Sequence, residues 1–450
     1  MSKRSAEDII RNESVPRALM TLAVPTVLEH ILTSLLQYVD TAMVGALGEE
    51  ATASVSLSTT ITWLTNSIPY AVALSLLALI SRAIGAKEYD KVKKLSANGI
   101  ILGLIFTVVL LVTSLIISPF LPVWMGAEDN IRESAKLYYI IITLPMLFRV
   151  STSICSACVR ATGDTKNPMF ISVGSNILNI VLNYVLIYMM GMGVVGAAMA
   201  TAACYTLSGI LMFVLYTRTK QVTIKLSQLK ADKESLREIG KMCMPLLGTN
   251  IASCSGYVVF AGLVSSMGTT TFAAHSIAVT AEELFYIPGY GLRTATTTMV
   301  GFALGQQDMN KLKKTARYST VITLLMMFVS GAVLFFAAGP LMSIFTPSKA
   351  VIDLGARMLK IVAFSEPFFG LMIVMEGIYY GLGKTKEAFI IETGSMWGVR
   401  IVSTFIVVKL LHLPLAAVWL CMIADNIVKA VSFAVLYRRK IAESFTRKSI

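Results

Sequence analysis

Twelve apolar stretches follow one another along this chain and leave no interval long enough for a soluble domain. About 20 apolar residues in a helix cross the hydrocarbon core of a bilayer. Stretches of at least that length occur at 16–47, 52–81, 95–121, 136–160, 168–190, 193–217, 240–266, 271–304, 316–344, 351–380, 387–411 and 413–437. Hydrocarbon offers no partner for a free backbone N–H or C=O, so each stretch is expected as a helix. The segment before the first, MSKRSAEDIIRNESVPR, is polar and lacks the apolar centre of a cleavable signal, so the first span is expected to be retained.

Charge orients the spans. The formal net charge of +13 could suggest nucleic acid, but the basic residues gather in alternate connections. They are Lys3, Arg4 and Arg11; Arg82, Lys87, Lys91, Lys93 and Lys94; Arg160 and Lys166; Arg218, Lys220, Lys225, Lys230, Lys233 and Arg237; Lys311, Lys313, Lys314 and Arg317; Lys384 and Lys386; Arg438, Arg439 and Lys440. The other connections are acidic or nearly neutral. This is the positive-inside pattern with both termini cytoplasmic, as an even number of spans requires. A multi-pass protein of the cell (inner) membrane is expected, with the bilayer as a partner and no nucleic acid. Cys155 and Cys158 form a CxxC inside a span, without a second pair or a nearby His, and read as small core residues.

The sequence repeats at an offset of 220 residues. Pro25 matches Pro245 and Gly48 matches Gly268; RAIGAKEYDKVKK (Arg82–Lys94) lies over FALGQQDMNKLKK (Phe302–Lys314), and TGDTKNPMFISVGS (Thr162–Ser175) over LGKTKEAFIIETGS (Leu382–Ser395). The expected division is 1–217 as one six-helix bundle, 218–239 as a charged cytoplasmic linker, and 240–450 as the second bundle with a cytoplasmic tail. Six spans per half give both halves the same orientation, a parallel repeat and a common transporter plan. The fold class is therefore all-α integral membrane, twelve transmembrane helices in two bundles around a central cleft.

Polar residues inside the spans mark candidate sites. At 3.6 residues per turn Glu29, Thr33, Gln37 and Asp40 fall on one stripe of the first span. An acid in hydrocarbon either faces a watery cavity as a functional group or snorkels from a helix end. The repeat puts Thr249, Ser253, Tyr257 and Phe260 opposite this stripe, so an ion site belongs to the first half. Asn176, Asn179 and Asn183 share a face of the fifth span. They serve either as ligands around a carboxylate and a hard cation such as Na⁺, or as interhelical glue. In the second half, Asp425 and Lys429 stand at i, i+4 and neutralise each other. Glu392 and Arg400 are spaced to pair likewise. Glu282 and Glu376 have no local partner and are candidates for contact with a cation, against pairing with Arg293 or Arg400. Prolines 25, 145, 245, 288 and 367 mark bends.

VPTVLEHILTSLLQYVDTAMVGALG, TTFAAHSIAVTAEELFYIPGYGLRTATTTMVGFALGQQD and RATGDTKNPMFISVGSNILNIVLNYVLIYMMGMGVVGAAMAT resemble the multidrug and toxic compound extrusion (MATE) family, nearest its DinF-like branch, and the likeness runs over essentially the whole chain. The resemblance implies two bundles around a V-shaped cleft and efflux of organic, mostly cationic compounds driven by Na⁺ or H⁺. It places the coupling carboxylate on Asp40 of VDT. Two departures are visible: Asn183 stands where many members carry a second acid, and the seventh span has none. The expected ion-coupling set is Asp40 with Gln37, Asn176, Asn179 and Asn183, Asp40 being the residue that would take Na⁺. Substrate-cleft candidates are Glu29, Thr33, Tyr38, Glu282, Glu283, Glu376 and Tyr257. No other cofactor is expected, and the chain is expected to work as a monomer on small organic cations.

A lipid-linked-precursor flippase is the alternative; its cleft would need basic residues, and in the first half only Arg149 opposes the acids. A membrane enzyme is not expected, since His30, His275 and His412 sit in unrelated spans without a metal-ligand spacing.

Overall fold

The structure, a computed structural model, describes residues 10–224 and 229–446; Lys3, Arg4 and Lys225 of the basic clusters lie outside them. The described residues are helical almost throughout and contain no strand. In chain order the helices are α1 (Val15–Gly45), α2 (Glu49–Gly85), α3 (Tyr89–Ile117), α4 (Asp129–Thr143), α5 (Met146–Ala161), α6 (Lys166–Met189) and α7 (Gly193–Arg218). Then follow α8 (Lys233–Ser265), α9 (Thr269–Gly305), α10 (Met309–Phe345), α11 (Lys349–Ala363), α12 (Glu366–Gly381), α13 (Thr385–Leu410) and α14 (Leu415–Thr446).

Two crossings are broken. α4 and α5 meet at 47° and α11 and α12 at 57°. Pro145 precedes α5 and Pro367 lies in the first turn of α12. Each lacks the N–H that would continue the preceding helix, and the chain bends there although Leu144, before Pro145, keeps helical angles (φ −51°, ψ −43°). Pro25, Pro245 and Pro288 instead sit within continuous helices. Among the described residues nine helices are long and apolar enough to cross a membrane, and the bent pairs bring the number to eleven. α9 completes the twelve: at 37 residues it is as long as α2, but it carries Glu282, Glu283 and Arg293.

The duplication is written into the backbone. Left-handed residues recur as Gly48 and Gly268 (φ 112° and 108°), Lys87 and Gln307 (61° and 56°), and Gly163 and Gly383 (93° and 73°). Each pair ends or opens a helix at the repeat offset, so equivalent helices start and stop alike. α8 begins on Asp232 and α10 on Asp308, whose carboxylates accept the backbone N–H of Ser235 (2.9 Å) and Lys311 (2.8 Å).

The halves meet where α9 packs on α1 and α2 and where α8 packs on α2. Close approach depends on missing side chains. A Cβ on Gly85 would strike the carbonyl of Phe302, and one on the repeat twin Gly305 would strike that of Arg82. A Cβ on Gly291 would come within 2.6 Å of the Val27 nitrogen. The end that carries the basic connections is tied further. Lys91 of α3 pairs with Glu238 of α8 at 2.8 Å, Lys311 donates to the Ile10 carbonyl at 2.7 Å, and the Arg11 guanidinium lies 5.3 Å from the Phe302 ring centre. Toward the opposite end the Tyr38 hydroxyl donates to the Thr280 carbonyl at 3.1 Å.

Candidate functional site

Asp40 lies near the end of α1, where α1 packs on α6. Asn183, fully buried at the last α-helical position before the π-turn of α6, donates its Nδ2 to Asp40 Oδ1 and to Asn179 Oδ1 at 3.2 Å. Asn179 in turn reaches the Thr201 hydroxyl of α7 at 3.4 Å. The Asn183 Oδ1 is buried and has no donor among the described residues. No Lys, Arg or His pairs with Asp40 among the described residues, so this carboxylate is held by amides alone. One acid oxygen outside that hydrogen bond, on a part-buried carboxylate, and one buried amide oxygen on its donor residue suit a proton or a small monovalent cation.

The rest of the expected stripe disperses. Glu29 and Asp40 are about three turns apart, or ~16 Å along the axis, and meet different helices. Glu29 turns to α5, where Arg160 grips both its oxygens at 2.7 and 2.8 Å and donates to Ser156 at 2.8 Å. Glu29 is thus neutralised by a residue that the charge pattern assigns to a loop. Gln37 is exposed and makes no side-chain hydrogen bond with the described residues, and Asn176 spends its amide on the Ser172 carbonyl of its own helix. Of the four residues expected around Asp40, Asn183 touches it, Asn179 stands behind Asn183, and Gln37 and Asn176 do not join. The Thr33 hydroxyl is buried without a partner among the described residues, and Tyr38 bridges to α9.

The second half ties up most of its charge across α9, α12, α13 and α14. Glu376 pairs with Arg293 at 2.5 Å. Asp425 pairs with Arg400 at 2.9 Å and with Lys429 at 3.0 Å, and accepts from Ser395 at 2.6 Å. Lys429 also reaches Glu392 at 3.6 Å. The expected Asp425–Lys429 pair is present, while Glu392 goes to Lys429 and Arg400 to Asp425, because α14 runs between them and brings both partners closer than a two-turn reach along α13. Tyr257 is half-exposed with the Arg400 guanidinium 5.7 Å from its ring centre. Glu283 is exposed; Glu282 and Glu366 are buried, and none of the three forms a salt bridge among the described residues. The six cysteines are free, and Cys158 lies 3.9 Å from the Ser96 hydroxyl.

Two contacts went unread in the sequence. Arg149 of α5 donates to Asn66 Oδ1 at 2.6 Å, and Arg293 of α9 donates to the Tyr70 hydroxyl at 2.6 Å. Asn66 and Tyr70 stand one turn apart on α2, and the available signal was a polar i, i+4 pair inside an apolar span.

The MatE family model matches residues 25–185 and 245–406, two stretches that begin on the aligned prolines Pro25 and Pro245. A probable multidrug resistance protein NorM of Thermotoga maritima is 29% identical over 433 residues, covering 94% of this chain and 93% of the relative. A probable multidrug resistance protein YoeA of Bacillus subtilis is 24% identical over 416 residues, covering 90% of each. Among solved structures, the outward-facing conformation of a multidrug resistance MATE family transporter superposes with a TM-score of 0.93 at 22% identity, over 98% of this chain and 99% of that one.

Proposed function

The chain belongs to the MatE family, and from that premise we propose that it is a secondary active multidrug exporter of the cell membrane. It expels small organic, mostly cationic compounds in exchange for Na⁺ or H⁺. The observation that carries this reading is Asp40: a carboxylate within a membrane-crossing helix, fixed by Asn183 and free of any basic partner among the described residues.

The cycle follows from charge. An ion on Asp40 cancels a negative charge that hydrocarbon disfavours, so α1 packs differently with and without it. With both termini cytoplasmic, the end tied by Lys91–Glu238 and Lys311 is the cytoplasmic one; ion binding from the outer side favours release of the exported compound. Ion loss on the inner side restores a negative cleft that attracts the next cation. Ion and compound need not share atoms; each needs only to favour the opposite conformation of residues 1–217 against 240–450. Opening inward requires parting Lys91 from Glu238 and Gly85 and Gly305 from their facing carbonyls.

The test is dye transport in proteoliposomes under an imposed Na⁺ or H⁺ gradient, comparing wild type with Asp40→Asn. Gradient-driven transport by wild type that the Asn variant loses is expected. An Asn variant that pumps as well as wild type removes Asp40 from the coupling role.

A further inference from the structure

Arginine only donates hydrogen bonds, so whatever it touches must present an acceptor. That rule fixes two side chains on α2. The Asn66 atom facing Arg149 is its oxygen, which turns the amide Nδ2 the other way. The Tyr70 oxygen accepts from Arg293, which leaves its hydroxyl proton to point away from the guanidinium. Neither residue makes another side-chain hydrogen bond among the described residues, so both offer an unused donor.

Both donors stand on an exposed face of α2. Tyr70 is reached from the second half by Arg293 yet is 44% exposed, and Trp63, on the same face two turns earlier, is 49% exposed. Asn66 between them is exposed as well. Behind them stands a charge with no counterion. Arg149 is buried and forms no salt bridge with any described residue; besides Asn66 it has the Ile142 carbonyl at 3.4 Å and the Tyr205 ring 4.9 Å away. Arg293 is neutralised by Glu376, so the free positive charge at this level is that of Arg149. A buried cation lacking an acid gains most from an anion placed just beyond the dipole it polarises.

We propose that Asn66 Nδ2 and the Tyr70 hydroxyl form a subsite for a carboxylate carried by the exported compound, oriented by Arg149 from one half and Arg293 from the other. The inference deepens the exporter reading and rests on it: the compounds accepted best are amphipathic amines that also bear a carboxylate. Because Tyr70 and Arg293 belong to different halves, the hydroxyl is aimed only while α2 and α9 meet, so movement of one half against the other loosens the subsite. Arg149 and Arg293 are positioning residues; Asn66 and Tyr70 touch the compound.

The test is equilibrium binding to the purified full chain in detergent, without any gradient, read by fluorescence polarisation of two probes. Rhodamine 110 carries a free carboxylate, and rhodamine 123 is its methyl ester. Wild type is expected to bind the acid more tightly than the ester. Tyr70→Phe and Asn66→Leu are each expected to weaken the acid about tenfold and leave the ester within about twofold, the usual effect of removing one donor to a charged group. The proposal is overturned if wild type binds the acid no more tightly than the ester, if both variants weaken the two probes equally, or if neither variant weakens the acid. Gradient-driven transport of the ester by these variants is scored separately, so the exporter reading stands or falls on its own result.

Discussion

Asp40 and Asp425 are both aspartates inside membrane-crossing helices, and they are held in opposite ways. Asp425, with none of its surface exposed, is clasped by Arg400, Lys429 and Ser395 from two helices. Asp40 has a single amide donor and no base among the described residues. Two basic neighbours make a buried carboxylate permanent, since removing the charge would strand theirs. An amide neighbour tolerates either state of the acid. The same scaffold, duplicated, thus serves in one place as a fixed cross-link and in another as an exchangeable charge. Glu29 with Arg160 shows that the first half also contains the fixed kind.

The sharpest way to break the contrast is to cut the cross-link. Asp425→Ala leaves Arg400 and Lys429 buried without their shared acid and is expected to lose about 3–5 kcal/mol, read as a lower thermal midpoint in detergent. An unchanged midpoint would show that the network is not structural. Asp40→Asn is expected to do the reverse. Gradient-driven transport falls about a hundredfold, ~2.7 kcal/mol in barrier terms, while the midpoint stays level or rises because no cation is stranded. A large loss of stability there would make Asp40 a second Asp425. Glu29→Gln keeps one hydrogen bond to Arg160 but strands its charge; about 1–2 kcal/mol of stability is expected to go, with transport per folded molecule retained. Loss of coupling in that variant would move Glu29 to the functional side.

The smallest effect serves as a reference outside the membrane-crossing segments. Hydrogen bonds from the Ser235 hydroxyl and backbone N–H hold the Asp232 carboxyl below the usual aspartate range. Its capping contribution to α8 is therefore complete above the ordinary aspartate pKa and fades as pH falls through the lower folded value. Amide exchange in the first turn of α8 should quicken over that acidic window and not at neutral pH; Asp232→Asn should abolish the dependence.

Much of this was readable in advance. Span lengths, the 220-residue offset and the alternation of basic connections need only local composition, and the helices follow them. Partners across space were another matter. Glu29 looked like a cleft acid because Arg160 lies 131 positions away, and for Glu376, whose partner Arg293 is 83 away, spacing left pairing with an arginine and contact with a cation both open. Periodicity tells which side of a helix a residue takes, not which neighbour waits there. Gln37 and Asn176 share faces with Asp40 and Asn183 in a helical projection, yet one turns to open space and the other back to its own carbonyl.

The reciprocal glycine contact has a consequence for ancestry. Gly85 lies on Phe302 and Gly305 on Arg82, and under the repeat Gly85 is Gly305 and Arg82 is Phe302. Each half therefore carries both the notch and the ridge that fills it. A chain with only one half would be self-complementary at this joint, able to pair with its own copy about a twofold axis before any fusion joined the two.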